Sequence, residues 1–312
     1  MSHSLDEIAA PRLINKVSVV FTSRDIAEFV RAPTSGTRRI APSMRFSVIM
    51  PSFNQAQFIE RSLISVINQE YEGVEFIVMD GGSQDGTREI LERYAKHLAV
   101  WRSEPDDGQS DALNRGFQCA TGDICGWLNS DDLYLPGALH HVAQIFATYP
   151  DVEVVYGDWL TIDESDRIIE HCPALPPSLN RLVTEGFFCN AQAMFWRRSL
   201  HERIGALDIG LHYTMDFDLM LRMLQVAGTR AFFRTRRPLG CFRLQSEQKT
   251  GSSHDRGAEE HRRIIQRAGL AWKYAMRGRA LRLAYRLSRV AEYFARRGPR
   301  YVLHKLTGRQ AA

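Results

Sequence analysis

Little in this chain would carry it out of a cell or into a bilayer. Its 312 residues contain no run of about 18 apolar residues, so no membrane span is expected. The N-terminus lacks the basic-then-apolar pattern of a secretory leader, and export is not expected either. The five cysteines (Cys119, Cys125, Cys172, Cys189 and Cys241) are odd in number and show no C-x-x-C spacing. That argues against a disulfide framework and a thiolate zinc site, and reads as reduced core thiols in a cytosolic protein. Acidic residues are scarce at the C-terminal end. From Arg256 to Ala312 there are 3 Glu against 15 Lys and Arg, a net of +12, which leaves residues 1–255 at −8 while the whole chain stands at +4.

With 44% hydrophobic and 24% charged residues, the composition is that of a globular protein able to bury one sizeable core or two modest ones. Residues 1–44 offer one short strand, Val17–Phe21, and a Pro-, Ser-, Gly- and Arg-rich linker from Ala32 to Ser43, with no assignable chemistry. From Arg45 onward, β-branched and apolar runs alternate with helical periodicity. Strands are expected at Phe46–Met50, Val74–Met79, Leu98–Arg102 and Ile124–Leu128, and helices at Gln57–Asn68, Arg88–His97 and Ser110–Ala120. Such alternation predicts βαβ units and a mainly parallel sheet.

The last of these strands runs into Asn129, Ser130, Asp131 and Asp132, so two carboxylates are presented where a strand stops. Taken alone, the pair suits a helix N-cap or a solvated turn as well as a cation site. Oxygen ligands of this kind suit Mg²⁺ or Mn²⁺, which use one or two carboxylates and complete their shells with substrate phosphates and water. Two further strand ends carry loops of the same character, Pro51-Ser52-Phe53-Asn54 and the stretch from Asp80 to Thr87. Ligands of open α/β sheets bind outside the carboxyl ends of the strands, so the three loops together describe a nucleotide pocket with a metal at its mouth.

Five segments, in order, strengthen that reading: VIMPSFNQAQFIERSLISVINQ, FIVMDGGSQDGTREIL, SEPDDGQSDALNRGF, GDICGWLNSDD, and FFCNAQAMFWRRSLHERIGALD followed by MDFDLMLRM. They resemble the family 2 inverting glycosyltransferases over about Phe46 to Gly251. The resemblance implies the glycosyltransferase A-type fold, a mixed but mainly parallel Rossmann-like sheet flanked by helices, and a nucleotide-diphosphate sugar donor. It implies a catalytic domain at 45–255, divided into a nucleotide-sugar half (45–132) and an acceptor half (133–255), with a basic helical extension at 256–312. By the same resemblance Pro51, Ser52, Phe53 and Asn54 line the nucleoside, Asp80 and Gly81 meet the base, and Asp131 and Asp132 hold Mn²⁺ or Mg²⁺ against the diphosphate, Asp131 thereby touching the donor. Asp216 matches the family's catalytic base, with Met215 where many members have Glu and Asp218 as runner-up; a helix turns residues at i and i+2 apart.

The match has departures. Asn129 stands where many members have Asp. Ala112-Leu113-Asn114 lacks an Arg that usually contacts the donor, so Asp111 is expected to touch the donor sugar instead. Gln245 falls near the place of a His, and His254 or Lys249 of the same loop is the expected substitute. Phe187, Phe188, Phe195 and Trp196 are expected in the core rather than on a sugar. Adjacent carboxylates such as Asp131 and Asp132 cannot flank a sugar at the roughly 5 Å that a retaining hydrolase needs. The acceptor implied is a carbohydrate or a lipid-linked sugar.

The basic tail reads in two ways, as an amphipathic element on an anionic membrane surface or as a helical cap on the domain. Nucleic acid is not expected, since no binding motif accompanies the charge. The implied location is cytoplasmic, with peripheral membrane attachment under the first reading. A nucleotidyltransferase is a weaker rival because Pro51–Gln57 holds no Gly-rich activating loop, and a non-catalytic protein of the same fold is another.

Overall fold

A computed structural model of the chain describes residues 44–245 and 254–271, with positions 287, 290, 291, 293 and 294. The strand expected at Val17–Phe21, the linker before Met44, Lys249, the His254 side chain and most of the tail lie outside the described residues.

The alternation read from the sequence folds as a run of parallel units: β1 (Phe46–Ser52), α1 (Ile59–Ile67), β2 (Val74–Asp80), α2 (Thr87–Tyr94), β3 (Val100–Ser103), α3 (Gln109–Cys119) and β4 (Ile124–Trp127). β3 begins two residues later than expected because Ala95–His97 tightens into a 3₁₀ turn. β2, β1 and β4 pair in parallel, and β3 joins β2 in the same sense. β1 is buried along its whole length, as a strand covered on both faces must be. Its alternating residues serve two cores. Phe46, Val48 and Met50 pack with Ile59, Leu63 and Val66 of α1, while Ile49 faces Leu113 and Phe117 of α3.

The second half adds β5 (Leu133–Tyr134), α4 (Ala138–Thr148), β6 (Val154–Ile162), β7 (Ile168–Cys172), α5 (Leu179–Glu185), β8 (Met194–Arg197), α6 (Arg198–Ile204), α7 (Met215–Ala227), β9 (Phe232–Arg243) and α8 (His254–Arg267). The sheet order is β3-β2-β1-β4-β8-β6-β9-β5, with β7 on β6. β8 is the antiparallel insert between β4 and β6. Phe188, Phe195 and Trp196 are fully buried, whereas Phe187 is 39% exposed. β5 pairs antiparallel with β9 through Leu133↔Cys241 and Tyr134↔Gly240. Gly240 is required there, since a Cβ would sit 2.6 Å from the Gln192 carbonyl oxygen and 2.9 Å from that of Leu133. This pairing lays the end of β9 beside the acidic motif that precedes β5.

α8, the first helix of the basic stretch, packs on the body of the protein. Ile264, Ile265 and Leu270 are buried in the same core as Met215, Phe217 and Leu221. No described helix is long and apolar enough to cross a membrane.

Candidate active site

The loops after β1 and β2 are cross-linked before any ligand is considered. The Asn54 N–H donates to Ser83 Oγ (2.7 Å), the Gln84 N–H to Asn54 Oδ1 (3.0 Å), and the Ala56 N–H to Asp85 Oδ2 (2.9 Å). Asp80, at the end of β2, is 2% exposed. Its Oδ2 accepts from the Ser83 N–H (2.9 Å) and Ser103 Oγ (2.7 Å), and its Oδ1 from Ser83 Oγ (2.5 Å). Gly81 donates its N–H to the Ser52 carbonyl (2.8 Å), and a Cβ on it would lie 2.9 Å from Asp106 Oδ2. Pro51 and Ser52 are buried, Phe53 is 60% exposed, and the buried Ser52 hydroxyl has no partner among the described residues. The strand ends thus leave an exposed aromatic and an unpaired hydroxyl beside a carboxylate that the protein has already oriented.

The acidic motif divides sharply. Asp132 is 1% exposed; its Oδ1 accepts the Arg243 N–H (2.9 Å) and its Oδ2 the Asn129 amide (3.3 Å). Burial, and next the Asp131 charge, push its pKa well above the usual carboxylate range. Asp131 is less enclosed, and Gln245 Nε2 donates to its Oδ2 at 2.7 Å. Burial raises its pKa as well, opposed by the Gln245 bond. Of the two carboxylates expected to share a cation, then, Asp132 is committed inward to the backbone of β9. Asn129 accepts from Trp127 Nε1 (2.8 Å) and Gln109 Nε2 (2.9 Å) while donating to Asp132. An Asp at 129 could not make that last donation. Among the described residues no group of three or more His, Cys, Asp and Glu is disposed as a metal cage.

Asp111, expected at the donor sugar, is instead bonded to Arg115 of its own helix (2.7 Å) and to the Asp107 N–H (3.1 Å), an i,i+4 pair of ordinary helical kind. Asp218, the runner-up base, is 2% exposed and held by Arg222 (2.8 Å) and Arg267 (2.7 Å). Both of its oxygens are thus occupied by arginines.

Asp216 differs from all of these. It lies in the first turn of α7 and lines a cavity of about 710 Å³ together with Trp127, Asn129, Gln192, His261 and Arg262. Its Oδ1 accepts only the adjacent Phe217 N–H (2.8 Å), and no described side chain donates to it. Burial pushes its pKa up to about 6, against the opposing backbone N–H groups. Gln192, 1% exposed, lines the same cavity with an amide nitrogen that has no partner among the described residues. A carboxylate with a pKa near neutrality on a cavity wall can take a proton from a substrate hydroxyl, and a buried unpaired amide can donate to a substrate oxygen.

The family model for Glycosyl transferase family 2 matches residues 47–205. The chain belongs to that family. Among curated relatives it is 28% identical over 176 residues to an uncharacterized glycosyltransferase of Nostoc sp., covering 53% of this chain and 54% of the relative. It is 32% identical over 181 residues to the PGL/p-HBAD biosynthesis glycosyltransferase of Mycobacterium bovis, covering 57% and 68%. The chain spans about half the length of the Nostoc relative. Among solved structures, S. aureus TarS in complex with UDP-GlcNAc superposes with a TM-score of 0.62 at 17% identity, over 81% of this chain and 73% of that one. The mannosyltransferase PcManGT from Pyrobaculum calidifontis, in complex with GDP-Man and Mn²⁺, gives 0.54 at 19% identity, over 89% and 84%. The fold of this family 2 glycosyltransferase is accordingly the mixed α/β arrangement expected of the A type.

Three residues that line the cavity with Asp216 are not marked by the sequence: Gln192, His261 and Arg262. Gln192 sits inside one of the family segments. The other two lie on α8, where nothing in the local pattern marks them, because their relation to Asp216 exists only once the helix has packed.

Proposed function

We propose that this glycosyltransferase moves a sugar from a nucleotide-diphosphate sugar, a UDP-sugar in our reading, to a hydroxyl of a carbohydrate or lipid-linked acceptor, with inversion. The observation that carries the proposal is Asp216: a carboxylate without a side-chain partner, its pKa raised to about 6, on the wall of a cavity at the strand ends. In this reading Asp216 accepts the proton of the acceptor hydroxyl as that oxygen attacks the anomeric carbon from the face opposite the diphosphate. Inversion follows from direct displacement. The unpaired Gln192 amide donates to a sugar oxygen in the same cavity.

Pro51, Ser52, Phe53 and Asn54 line the nucleoside, with Asp80 and Gly81 at the base. The Asp80 carboxylate, pre-oriented by Ser83 and Ser103, keeps lone pairs for a ring N–H. A single available carboxylate suits Mg²⁺ or Mn²⁺, which draws its remaining ligands from phosphates and water, so we assign the cation to Asp131 and give Asp132 the task of fixing the motif. When bound, such a cation neutralises charge developing on the leaving diphosphate. Asp111 is left out of the donor contacts because Arg115 occupies it. The ligands of the solved neighbours, UDP-GlcNAc in one and GDP-Man with Mn²⁺ in the other, support a nucleotide-sugar donor and a cation. The mycobacterial relative's part in PGL/p-HBAD biosynthesis supports a glycolipid or polysaccharide product. A cytoplasmic site, peripheral to the membrane, fits that use.

The test is turnover of a panel of nucleotide sugars with Mn²⁺, read as transfer and as slow donor hydrolysis. One donor should be consumed, EDTA should stop the reaction, and Asp216→Asn should abolish transfer while leaving donor binding nearly intact. Full transfer by Asp216→Asn would remove the base assignment, and full activity in chelator would remove the cation.

A further inference from the structure

Glu260 on α8 is 3% exposed and gathers four hydrogen bonds from one short stretch of chain. Its Oε1 accepts the His212 N–H (3.0 Å), and its Oε2 accepts the Tyr213 N–H (3.0 Å), the Thr214 N–H (3.1 Å) and the Thr214 hydroxyl (3.0 Å). These three residues lead directly into α7. Thr214 is the residue before its first turn, and the Thr214 side chain, turned to Glu260, does not cap the helix itself. Backbone N–H groups at a helix entry need acceptors, and here one carboxylate from a distant helix supplies them. Burial opposes ionisation of Glu260, yet the four bonds together hold its pKa below the usual range.

Asp216 stands two residues beyond this clamp. Ile264 and Ile265, one turn beyond Glu260, are buried in the core and hold the clamp in place, whereas Arg267 at the far end of the helix bonds Asp208 and Asp218, each at 2.7 Å, and among the described residues makes no contact with the clamp. Gly257, Ala258, His261 and Arg262, at helical spacing on α8, line the same cavity as Asp216. All of this lies beyond residue 205, where the family match ends.

We propose that Glu260 is a positioning residue for the catalytic base: it fixes the His212–Thr214 segment and thereby the direction in which Asp216 meets the acceptor hydroxyl. The inference rests on the reading of Asp216 as base. It makes the first helix of the basic tail part of the catalytic apparatus.

Three variants test it. Glu260→Gln keeps the shape but turns one acceptor into a donor facing N–H groups. Thr214→Val removes only the hydroxyl bond. Arg267→Ala loosens the far end of α8 without touching the clamp. The readouts are kcat and KM per folded enzyme, donor dissociation constant and the pH profile of kcat. A misplacement of about 1 Å costs on the order of 10²-fold, so Glu260→Gln should lower kcat by about that factor with donor binding unchanged. Thr214→Val should lower it less, and Arg267→Ala should lower the melting temperature only.

The acidic limb of kcat should also move to lower pH in Glu260→Gln, because a loosened segment admits water to Asp216. The charged and titratable groups around Asp216 are Glu260, His261 and Arg262 on α8, His212 and Tyr213 on the entering loop, and the Cys189 thiol, whose pKa burial and, second, the Asp216 charge raise. Unchanged kcat and acid limb in folded Glu260→Gln, or an equal loss of kcat in Arg267→Ala, overturns the proposal. If Glu260→Gln does not fold, Thr214→Val decides, since an unaltered kcat there is equally fatal. Transfer lost in Asp216→Asn but kept in Glu260→Gln refutes the clamp alone, whereas transfer kept in Asp216→Asn refutes the base.

Discussion

The loops after β2 and β4 and the entry to α7 both hold carboxylates in protected surroundings, and they treat them in opposite ways. Asp80 accepts three hydrogen bonds and Asp132 two, all from groups of the same fold. Asp216 accepts one, from the peptide next to it, and the cavity beside it holds the unpaired amide of Gln192. A carboxylate held by several donors of its own protein shapes a loop and keeps little lone-pair capacity beyond them. One that is dried but left unpaired has a raised pKa and remains available to a substrate. Asp80 and Asp132 are almost fully enclosed while Asp216 keeps part of its surface on the cavity, and Asp132 shares the raised pKa, so exposure and the number of donors together separate them.

The strongest way to break this contrast is at Asp216. Asp216→Asn should lower transfer by roughly 10²–10⁴-fold, the range of general base catalysis, with a melting temperature close to that of the wild type. Rate and thermal melts measured on one preparation check both halves of the statement. Asp132→Ala should do the reverse. It strands the Arg243 N–H and the Asn129 amide at about 1–3 kcal/mol each, so chemical denaturation should show a loss of about 2–6 kcal/mol. Asp131→Ala, one residue away, should reduce transfer while changing stability by no more than about 0.5 kcal/mol, since no buried donor depends on it except the Gln245 amide at its edge.

pH sharpens the same contrast. As the proposed base Asp216 must be ionised, and burial pushes its pKa up to about 6, so kcat should rise with pH through about 6. Below that value it should fall about tenfold per pH unit, as a single protonation requires. A limb near the ordinary Asp value of about 4 would mean that water reaches the group in solution. The smallest effect is expected from Asn129→Asp. It loses the bond to Asp132 Oδ2 and adds a carboxylate beside it, costing about 1 kcal/mol by thermal melts, while half-maximal activity is reached at a lower Mn²⁺ concentration.

Much of this architecture is legible in the sequence because its causes are local. The alternation of β-branched runs with helical spacing announces the parallel units, and the loops that interrupt them announce the ligand edge. Even the separation of Asp216 from Asp218 follows from helix geometry, two residues being about 200° apart around the axis. The difference between Asp131 and Asp132 does not. Nothing in two adjacent identical residues says which will face inward. That was settled when β9 paired with β5 and brought the Arg243 N–H to Asp132 across 111 positions of chain. Asp111 is a related case: its expected place at the donor sugar follows from the missing family Arg, while the structure pairs it with Arg115 four residues on.

What the sequence by itself determined is the order of elements, the two apolar faces of the sheet and the position of the acidic loops, since periodicity and turn chemistry act over a few residues. What only the tertiary structure decided is which polar groups are satisfied. Glu260 reaches the entry of α7 across 46 to 48 positions, and it does so only because Ile264 and Ile265 bury the helix that carries it. Hydrogen-bond satisfaction in a protein interior is a property of residues brought together by packing, and no local pattern encodes it.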